Sequence, residues 1–563
     1  MKHILISLKY WEYSALKFIL LSVLCWLTCS CASQEYYKQE GYIDHSLCVN
    51  AHLGYSGYDF EYRKEVSKAL GDLKAGMVRD YIFVNSSDFF ADTLLNAKMD
   101  PRSNRAYVID NVLYHLQKNA PGIQVLGVLH DMKWEIDKNV PFTRFYELVK
   151  KAVKRYDGKS RFTPTDSKEE MSYEIKYWEI CNEFDMHIYG KYPFETAKKT
   201  FELLKNSYLA IKTANPDAVV VFPGIANTKS SFVNDMLEFQ DADGKRIWDY
   251  FDVFNFHVYP QMAEDLPYYI GIIKNYQKKY GWDKPIWLTE VGWSELLKSE
   301  DEVAALLPKM YLTALACGVE RVFQFQFRRF DYSLGTDASF GLIRSSLDGT
   351  YISLKSGGEP LSLGTAYNHI LIRDSLYSFT PSKYYHKDVG KSIFNKLRRS
   401  GLSIQGNDYI INKVAIIHNN RETIIFNKEE SKDINLSASL FSELTFDDKI
   451  SISFKQYKKK LGWKNADKTL SYYSMKQLIN LLPDGSTIPT LKVQNGVYEA
   501  KWAVGEKKYT AIWCKNERDL SLNGTEKIKI QNYLGKKMKS SSSKVKINNK
   551  VLYFEGDYNY ILQ

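Results

Sequence analysis

Two short apolar segments carry a glutamate at their ends: KYWEICNE, which closes on Glu183, and PIWLTEVGW, which contains Glu290. Each reads as a buried strand whose last residues emerge at a loop, so both carboxyl groups can be held rigidly. One protonated and one ionised carboxyl on opposite sides of a glycosidic bond are what its cleavage demands. The first protonates a poor leaving group, and the second meets the positive charge that develops at the anomeric carbon. For either glutamate alone, an ion pair or a helix cap is the plain alternative. A near-solid hydrophobic strand gives little reason to bury a charge unless a site uses it.

The elements that must hold these groups are legible in the periodicity. The apolar runs 42–49, 76–81, 124–129, 177–181, 219–222, 251–256, 285–288 and 321–326 read as strands. Amphipathic stretches near 61–73, 105–118, from Pro141, 194–213, 230–239, 267–280 and 303–317 read as helices between them. Eight such units close a (β/α)8 barrel, and the C-terminal ends of its strands form the active face. An open doubly wound sheet is the structural rival, but no glycine-rich phosphate loop follows the first strand. Arg79, Asn182, Glu183, His257, Tyr259 and Glu290 all fall at or just beyond strand ends. After residue 365 the text changes to short alternating segments such as 409–417, 450–454 and 509–513, separated by Asn, Gly, Asp and Lys turns. That pattern predicts an all-β, sandwich-like C-terminal domain over 366–563, or two small β subdomains, behind a barrel over 34–365.

A chain of 563 residues is too long for one ordinary core, and 45% apolar residues with a mean hydropathy of −0.36 describe a globular body. The membrane-like stretch is at the start, where an apolar run from Phe18 to Leu27 follows Lys2, Lys9 and Lys17. It is too short to span a bilayer comfortably and reads as an export signal over 1–33. Cys31, after Leu27-Thr28-Cys29-Ser30, fits a loose bacterial lipoprotein box and would tether the mature chain to a membrane surface. Cleavage after Ala32 by the ordinary signal peptidase is the rival, which would make the protein periplasmic or secreted. Cys48, Cys181, Cys317 and Cys514 are scattered, the first three within apolar segments, and read as free buried thiols. No CxxC or HExxH spacing appears, so no metal site is expected, and cleavage by a pair of carboxyl groups requires no organic cofactor. The charge of +10 lies largely in C-terminal lysines without nucleic-acid-binding motifs, and reads as a solvated face, with attraction to an acidic polysaccharide as the alternative.

Trp178-Glu179-Ile180-Cys181-Asn182-Glu183 and Trp287-Leu288-Thr289-Glu290 resemble the strand-four and strand-seven motifs of clan A, the retaining glycoside hydrolases built on the β/α barrel. The layout with a β domain after the barrel is loosely similar to family 39 and related xylosidase or endo-glycanase groups. The resemblance implies Glu183 as general acid/base, Glu290 as nucleophile and Asn182 as a partner of the sugar 2-hydroxyl. It further implies Arg79 beside the nucleophile, with His257 and Tyr259 at the end of strand six and the tyrosine orienting the nucleophile. The clan's tryptophan after strand eight is replaced by Phe323-Gln324-Phe325-Gln326-Phe327-Arg328, so the substrate floor departs from the pattern.

The supporting residues have plainer alternatives. Arg79 could pair with Asp80, His257 could be a core histidine, and Tyr259 could be an aromatic wall. Trp134 and Trp293 could stack on pyranose rings or pack loops. Glu179 is expected lower in the barrel, paired with an arginine or lysine. Arg328, Arg329 and Arg344 could meet a uronic acid or sulfate, with a solvated or structural role as the plain alternative. The competing functions are a surface lipoprotein that captures glycans without cleaving them and a transglycosylase on the same site.

Overall fold

The computed structural model describes residues 35–53, 60–83, 105–130, 142–187, 193–295, 298–328, 340–344, 351–356, 359–360, 369–371, 376–381, 387–406, 409–431, 433–456, 467–523, 528–538, 544–556 and 559–562. The leader with Cys31, Trp134 and Arg329 lie outside them. Eight parallel strands form the inner sheet: β1 (Leu47–Asn50), β2 (Met77–Phe83), β3 (Gln124–His130), β4 (Tyr177–Ile180), β5 (Val219–Val221), β6 (Phe254–His257), β7 (Ile286–Val291) and β8 (Val319–Gln324). Neighbours pair in sequence order, β8 returns to β1, and a single parallel bridge between Val221 and Val253 joins β5 to β6. The sheet is therefore a (β/α)8 barrel, as the eight-unit periodicity predicts. Every residue of β1, β6 and β7 is buried, which is why these strands read as solid apolar runs without alternation.

Among the described residues, seven helices of eight or more residues follow the strands: α1 (Phe60–Leu73), α2 (Arg105–Asn119), α3 (Phe142–Arg155), α4 (Pro193–Ala214), α5 (Ser231–Glu238), α6 (Leu266–Tyr280) and α7 (Glu300–Ala316). The start of α7 is fixed by a capping box: Glu302 N–H donates to Ser299 Oγ (3.3 Å) and Ser299 N–H to Glu302 Oε2 (2.8 Å). The barrel floor is plugged by Cys48, Met77, Leu126, Val221, Val253, Trp287 and Phe323. Beneath them the Arg321 guanidinium lies 4.9 Å from the Tyr177 ring and 4.8 Å from Trp287, and donates to Gln124 Oε1 at 2.8 Å. With the floor closed, only the opposite mouth is left for chemistry.

Two further helices appear where the sequence pattern predicts only strands: α8 (Lys387–Ser400) and α9 (Leu470–Leu481). α9 completes the barrel's outer ring. Its Tyr472 hydroxyl donates to Ala69 O (3.1 Å) and Asp72 Oδ2 (2.7 Å) of α1, while Ser474 Oγ donates to Ala304 O (2.7 Å) of α7. The barrel domain drawn over 34–365 must therefore be extended by an element that arrives more than a hundred residues later.

Between β8 and α9 lies a β body. Strands Tyr351–Ser356, Leu402–Gly406 and Asp433–Leu436 form one of its sheets, and Leu376–Phe379, Tyr409–His418, Arg421–Ser431 and Lys449–Gln456 form the other. Ile404, Ile411, Val414, Ile450 and Ile452 from both sheets share a core with Ile393 and Leu397 of α8. After α9 a second body pairs Thr490–Gln494, Val497–Val504, Lys507–Cys514, Leu552–Glu555 and Lys529–Asn532, and the N-terminal strand Glu35–Tyr37 joins its edge. Its wide sheet lays Trp502, Tyr509, Trp513 and Tyr553 into the same core as the barrel helices. At that seam Glu264 Oε1 accepts from Trp513 Nε1 (2.9 Å) and Lys309 Nζ (3.0 Å). Cys48, Cys181, Cys317 and Cys514 are free and buried, and burial pushes the Cys317 thiol up to about 12. Among the described residues no helix is long and apolar enough to cross a membrane.

A chain ended at residue 365 lacks α9 and is expected to lose the cooperative thermal transition of the full protein, read by circular dichroism. In the full chain Tyr472→Ala should cost about 3 to 5 kcal/mol in urea titration, the usual range for emptying a buried aromatic site.

Candidate active site

Arg79, on β2, organises the mouth of the barrel. Its guanidinium donates to both oxygens of Glu179 (Nε to Oε2 2.6 Å, Nη2 to Oε1 2.8 Å), to Glu290 Oε1 (2.7 Å), to Asn50 Oδ1 (2.9 Å) and to Asn182 Oδ1 (2.7 Å). Arg79 is 1% exposed and Glu179 fully buried. Burial alone would pull the guanidinium down, but Glu179, Tyr81 and Glu290 hold it well above its ordinary value. Asp80 serves another purpose, accepting from the backbone N–H of Leu53 (2.7 Å) and Tyr81 (2.8 Å). The expected cationic partner of Glu179 is thus Arg79 itself.

Glu183 reaches the mouth through strained backbone. Cys181 (φ 63°) and Glu183 (φ 48°) are both in the left-handed region, which L-residues enter at a cost. Two hydrogen bonds hold the turn: Cys181 N–H to Leu129 O (3.1 Å) and Glu183 N–H to Gly224 O (2.8 Å). Asp185 fastens the same loop by accepting from Ala226 N–H (3.0 Å) and Asn227 N–H (2.6 Å).

Glu290 is aimed by a different device. The β6–β7 register slips between Phe256↔Leu288 and His257↔Glu290, so Thr289 is an extra residue in β7. In a regular strand Thr289 and Glu290 would point to opposite faces. With the bulge, both reach His257. Glu290 Oε2 accepts from the Tyr259 hydroxyl (2.7 Å) and lies 3.7 Å from His257 Nδ1, which itself contacts Glu183 Oε1 at 2.9 Å. Carboxylate oxygens of Glu183 and Glu290 and the His257 ring nitrogen all lie within 4.8 Å of one another. That spacing also suits metal ligands, but the Arg79 guanidinium already supplies the positive charge at Glu290. Burial holds the Glu290 carboxyl above the usual carboxylate range, against the pull of His257, Arg79 and the Tyr259 hydroxyl and with the Glu183 charge adding to the rise. The Glu183 side chain is 19% exposed against 6% for Glu290, so it is the one within reach of solvent.

Six of the eight candidate residues converge here: Arg79, Asn182, Glu183, His257, Tyr259 and Glu290. Trp134 lies outside the described residues. Trp293 does not offer a stacking face: it is 5% exposed, and its Nε1–H donates to Pro260 O (2.6 Å), which pins the loop behind Tyr259. Arg328 takes the structural one of its expected roles, fully buried with its guanidinium 5.0 Å over the Tyr62 ring. Arg344 sits 3.9 Å from Glu300 Oε2.

The sequence reading missed Asn50, which ends an apolar strand as Asn182 does and donates to Thr289 O at 2.7 Å. It also missed Gly224, where a Cβ would lie 1.9 Å from His257 Nε2, so the imidazole slot exists because that residue is glycine. The wall beyond Glu290 is aromatic. Tyr259, Phe325 and Phe340 meet edge to face at 5.4 to 5.9 Å, in place of the tryptophan the clan pattern would supply.

Residues 182–331, which contain both glutamates, match the family model described as glycosyl hydrolase catalytic core. The barrel carries a glycoside hydrolase core. Among solved structures, a family 39 glycoside hydrolase from the gut symbiont Bacteroides cellulosilyticus aligns over 91% of this chain and 81% of that chain, with a TM-score of 0.51 and 14% identity. A family 39 β-xylosidase from Caulobacter crescentus covers 93% of this chain and 98% of that one (TM-score 0.46, 11% identity). A family 30 endoxylanase from Clostridium papyrosolvens covers the same shares (TM-score 0.46, 10% identity). No curated protein matches the chain. The clan A resemblance noted in the glutamate motifs is thus supported by the family model, and the fold by the first of these structures.

Burial alone would lower the His257 imidazole, but the charge of Glu290 and the contact with Glu183 outweigh it and raise its pKa above the ordinary value. A raised folded-state pKa gives a stability contribution that is fully present below the unfolded value of about 6.5 and is lost as pH rises through the folded value. Urea unfolding at a series of pH values between roughly 6 and 9 should show stability falling on the alkaline side, with a shallower fall in His257→Gln.

Proposed function

We propose that this chain is a retaining β-glycoside hydrolase that acts on an oligosaccharide or polysaccharide, with Glu290 as nucleophile and Glu183 as general acid/base. The observation that carries the reading is the approach of the two carboxylates to within 4.8 Å. Double displacement works with carboxyl groups about 5 to 5.5 Å apart, whereas an inverting site needs about 6.5 to 9.5 Å to seat a water.

In this reading Glu290 attacks the anomeric carbon as the bond to the departing oxygen breaks, and Glu183 gives its proton to that oxygen. Arg79 on Oε1 and Tyr259 on Oε2 fix the nucleophile from two sides, so its approach needs little reorganisation. Asn182 has its Oδ1 occupied by Arg79, which leaves the amide nitrogen to donate to a sugar hydroxyl. After the glycosyl ester forms, Glu183 takes a proton from water, and the water oxygen replaces Glu290 at the same carbon with net retention. The exposed Tyr259 ring, backed edge to face by the buried Phe325 and Phe340, supplies an apolar face for the ring of the bound sugar. Cation chemistry is not needed at any step, since protons and the Arg79 charge cover both.

Glu290→Gln should lower turnover by at least about a thousandfold on every glycoside the parent cleaves. Glu183→Ala with azide and an activated aryl glycoside should recover turnover and release a β-configured glycosyl azide, read by NMR. Near-parental turnover in the first variant, or an α-azide in the second, would sink the assignment. From the apolar run Phe18 to Leu27 and the lipoprotein-like box at Cys31, we further propose that the chain is exported and tethered through Cys31. An N-terminal peptide mass of a lipidated Cys31 supports this tether, and a free terminus at Ser33 overturns it.

A further inference from the structure

His257 stands between the two carboxylates, and what it can do there depends on which ring nitrogen holds a proton. The surrounding hydrogen bonds answer that. The backbone N–H of Thr289, which can only donate, points at one side-chain atom of Asn255 at 3.3 Å, so that atom is the amide oxygen Oδ1. The Thr289 hydroxyl lies 2.7 Å from the same oxygen and spends its single proton on it. The hydroxyl can then only accept from its other neighbour, His257 Nε2 at 3.0 Å, which must carry a hydrogen. His257 Nδ1 faces Glu183 Oε1 at 2.9 Å, and two lone pairs would repel at that distance, so one proton lies between them. Asn255, Thr289 and His257 are 0%, 0% and 1% exposed. The Asn255 amide nitrogen is buried without a hydrogen-bond partner, so its oxygen is the atom this position supplies. The bulge in β7 is what turns the Thr289 hydroxyl inward beside Glu290.

We propose that Asn255 and Thr289 are positioning residues that lock His257 with its Nε2 proton pointing away from the carboxylates, so that the transferable proton of the pair is held in the Nδ1–Glu183 contact. This rests on the assignment of Glu183 as general acid. The charged groups around the ring are Glu183 and Asp185 from the β4 loop, Glu290 from β7 and Arg79 from β2. With the lock in place, either the carboxyl is protonated and Nδ1 accepts, or the ring is protonated and the carboxylate accepts. In both forms the pair has a proton to give the leaving group. Without the lock the ring can turn to its other neutral tautomer. Nδ1–H then donates to an ionised Glu183, and delivery of that proton leaves Nε2 to be reprotonated from a closed pocket.

Two measurements on the full-length protein test the lock. In protein labelled with ¹⁵N at its histidine rings, with His257 assigned by its absence in His257→Gln, Nε2 should stay protonated across the pH range while Nδ1 carries the titration. Thr289→Val should shift the neutral ring toward Nδ1–H, and Thr289→Ser should restore the parental spectrum. The second readout compares kcat/KM for a glycoside with a poor leaving group with that for a dinitrophenyl glycoside, which needs little acid help. Thr289→Val should lower this ratio by about tenfold or more, and the serine variant should recover it. A merely structural defect lowers both substrates together and leaves the ratio at its parental value. A neutral Nδ1–H tautomer in the parent, or an unchanged tautomer and ratio in Thr289→Val, overturns the proposal. The spectrum stands even if no glycoside is cleaved, so failure of the lock and failure of the glycosidase reading are told apart.

Discussion

One buried guanidinium sets the terms for the rest of the barrel. Arg79 ties Asn50 on β1, its own strand β2, Glu179 and Asn182 at β4, and Glu290 on β7 into a single cluster. Removing such charges from water costs several kcal/mol per ion, and the attraction offsets this only when the remaining lone pairs and protons are also matched. A shift of one residue in any of these strands would carry its polar group to the opposite face and leave the others unsatisfied. Strand register and site geometry are therefore one constraint. The barrel cannot close in its observed order without also presenting Glu290 to the mouth.

Around that fixed point, regular structure is broken in two places. At β4 the chain enters the left-handed region at Cys181 and Glu183, and at β7 it takes in an extra residue at Thr289. Both breaks re-aim a carboxylate that a straight strand would have sent elsewhere. Both are held by neighbours: Gly224 accepts from Glu183 N–H, and Asn50 donates to Thr289 O. The local cost at one strand end is met by satisfied hydrogen bonds from other strands of the barrel.

The parts of this arrangement legible in the sequence are those written in a local period. The eight strands and first seven helices follow apolar runs and amphipathic stretches, and the six converging residues were visible as polar groups ending apolar strands. What was hidden depends on a partner far away in sequence. The segment Leu470–Leu481 looks like one more patch of aromatic and polar residues among strands until α1 and α7 are present to bury its Tyr472 and Met475. Gly224 and Thr289 have no periodic mark, since one matters for the side chain it omits and the other for a bulge that only strand pairing reveals. Trp293 misleads for a related reason, because an indole near a catalytic glutamate reads as a sugar platform until its N–H is seen to hold a backbone carbonyl.

The late position of α9 has a consequence for how the molecule is made. Tyr472 meets Ala69 across 403 residues of chain, so the ring of helices is sealed by one of its most remote contacts. During synthesis the first seven units and the intervening β body are complete before the closing helix exists. The flank between α1 and α7 stays open for that interval, with its apolar surface exposed to any other nascent chain. Guarding that open flank is thus a demand placed on the cell by topology alone, whatever sugar the finished enzyme meets.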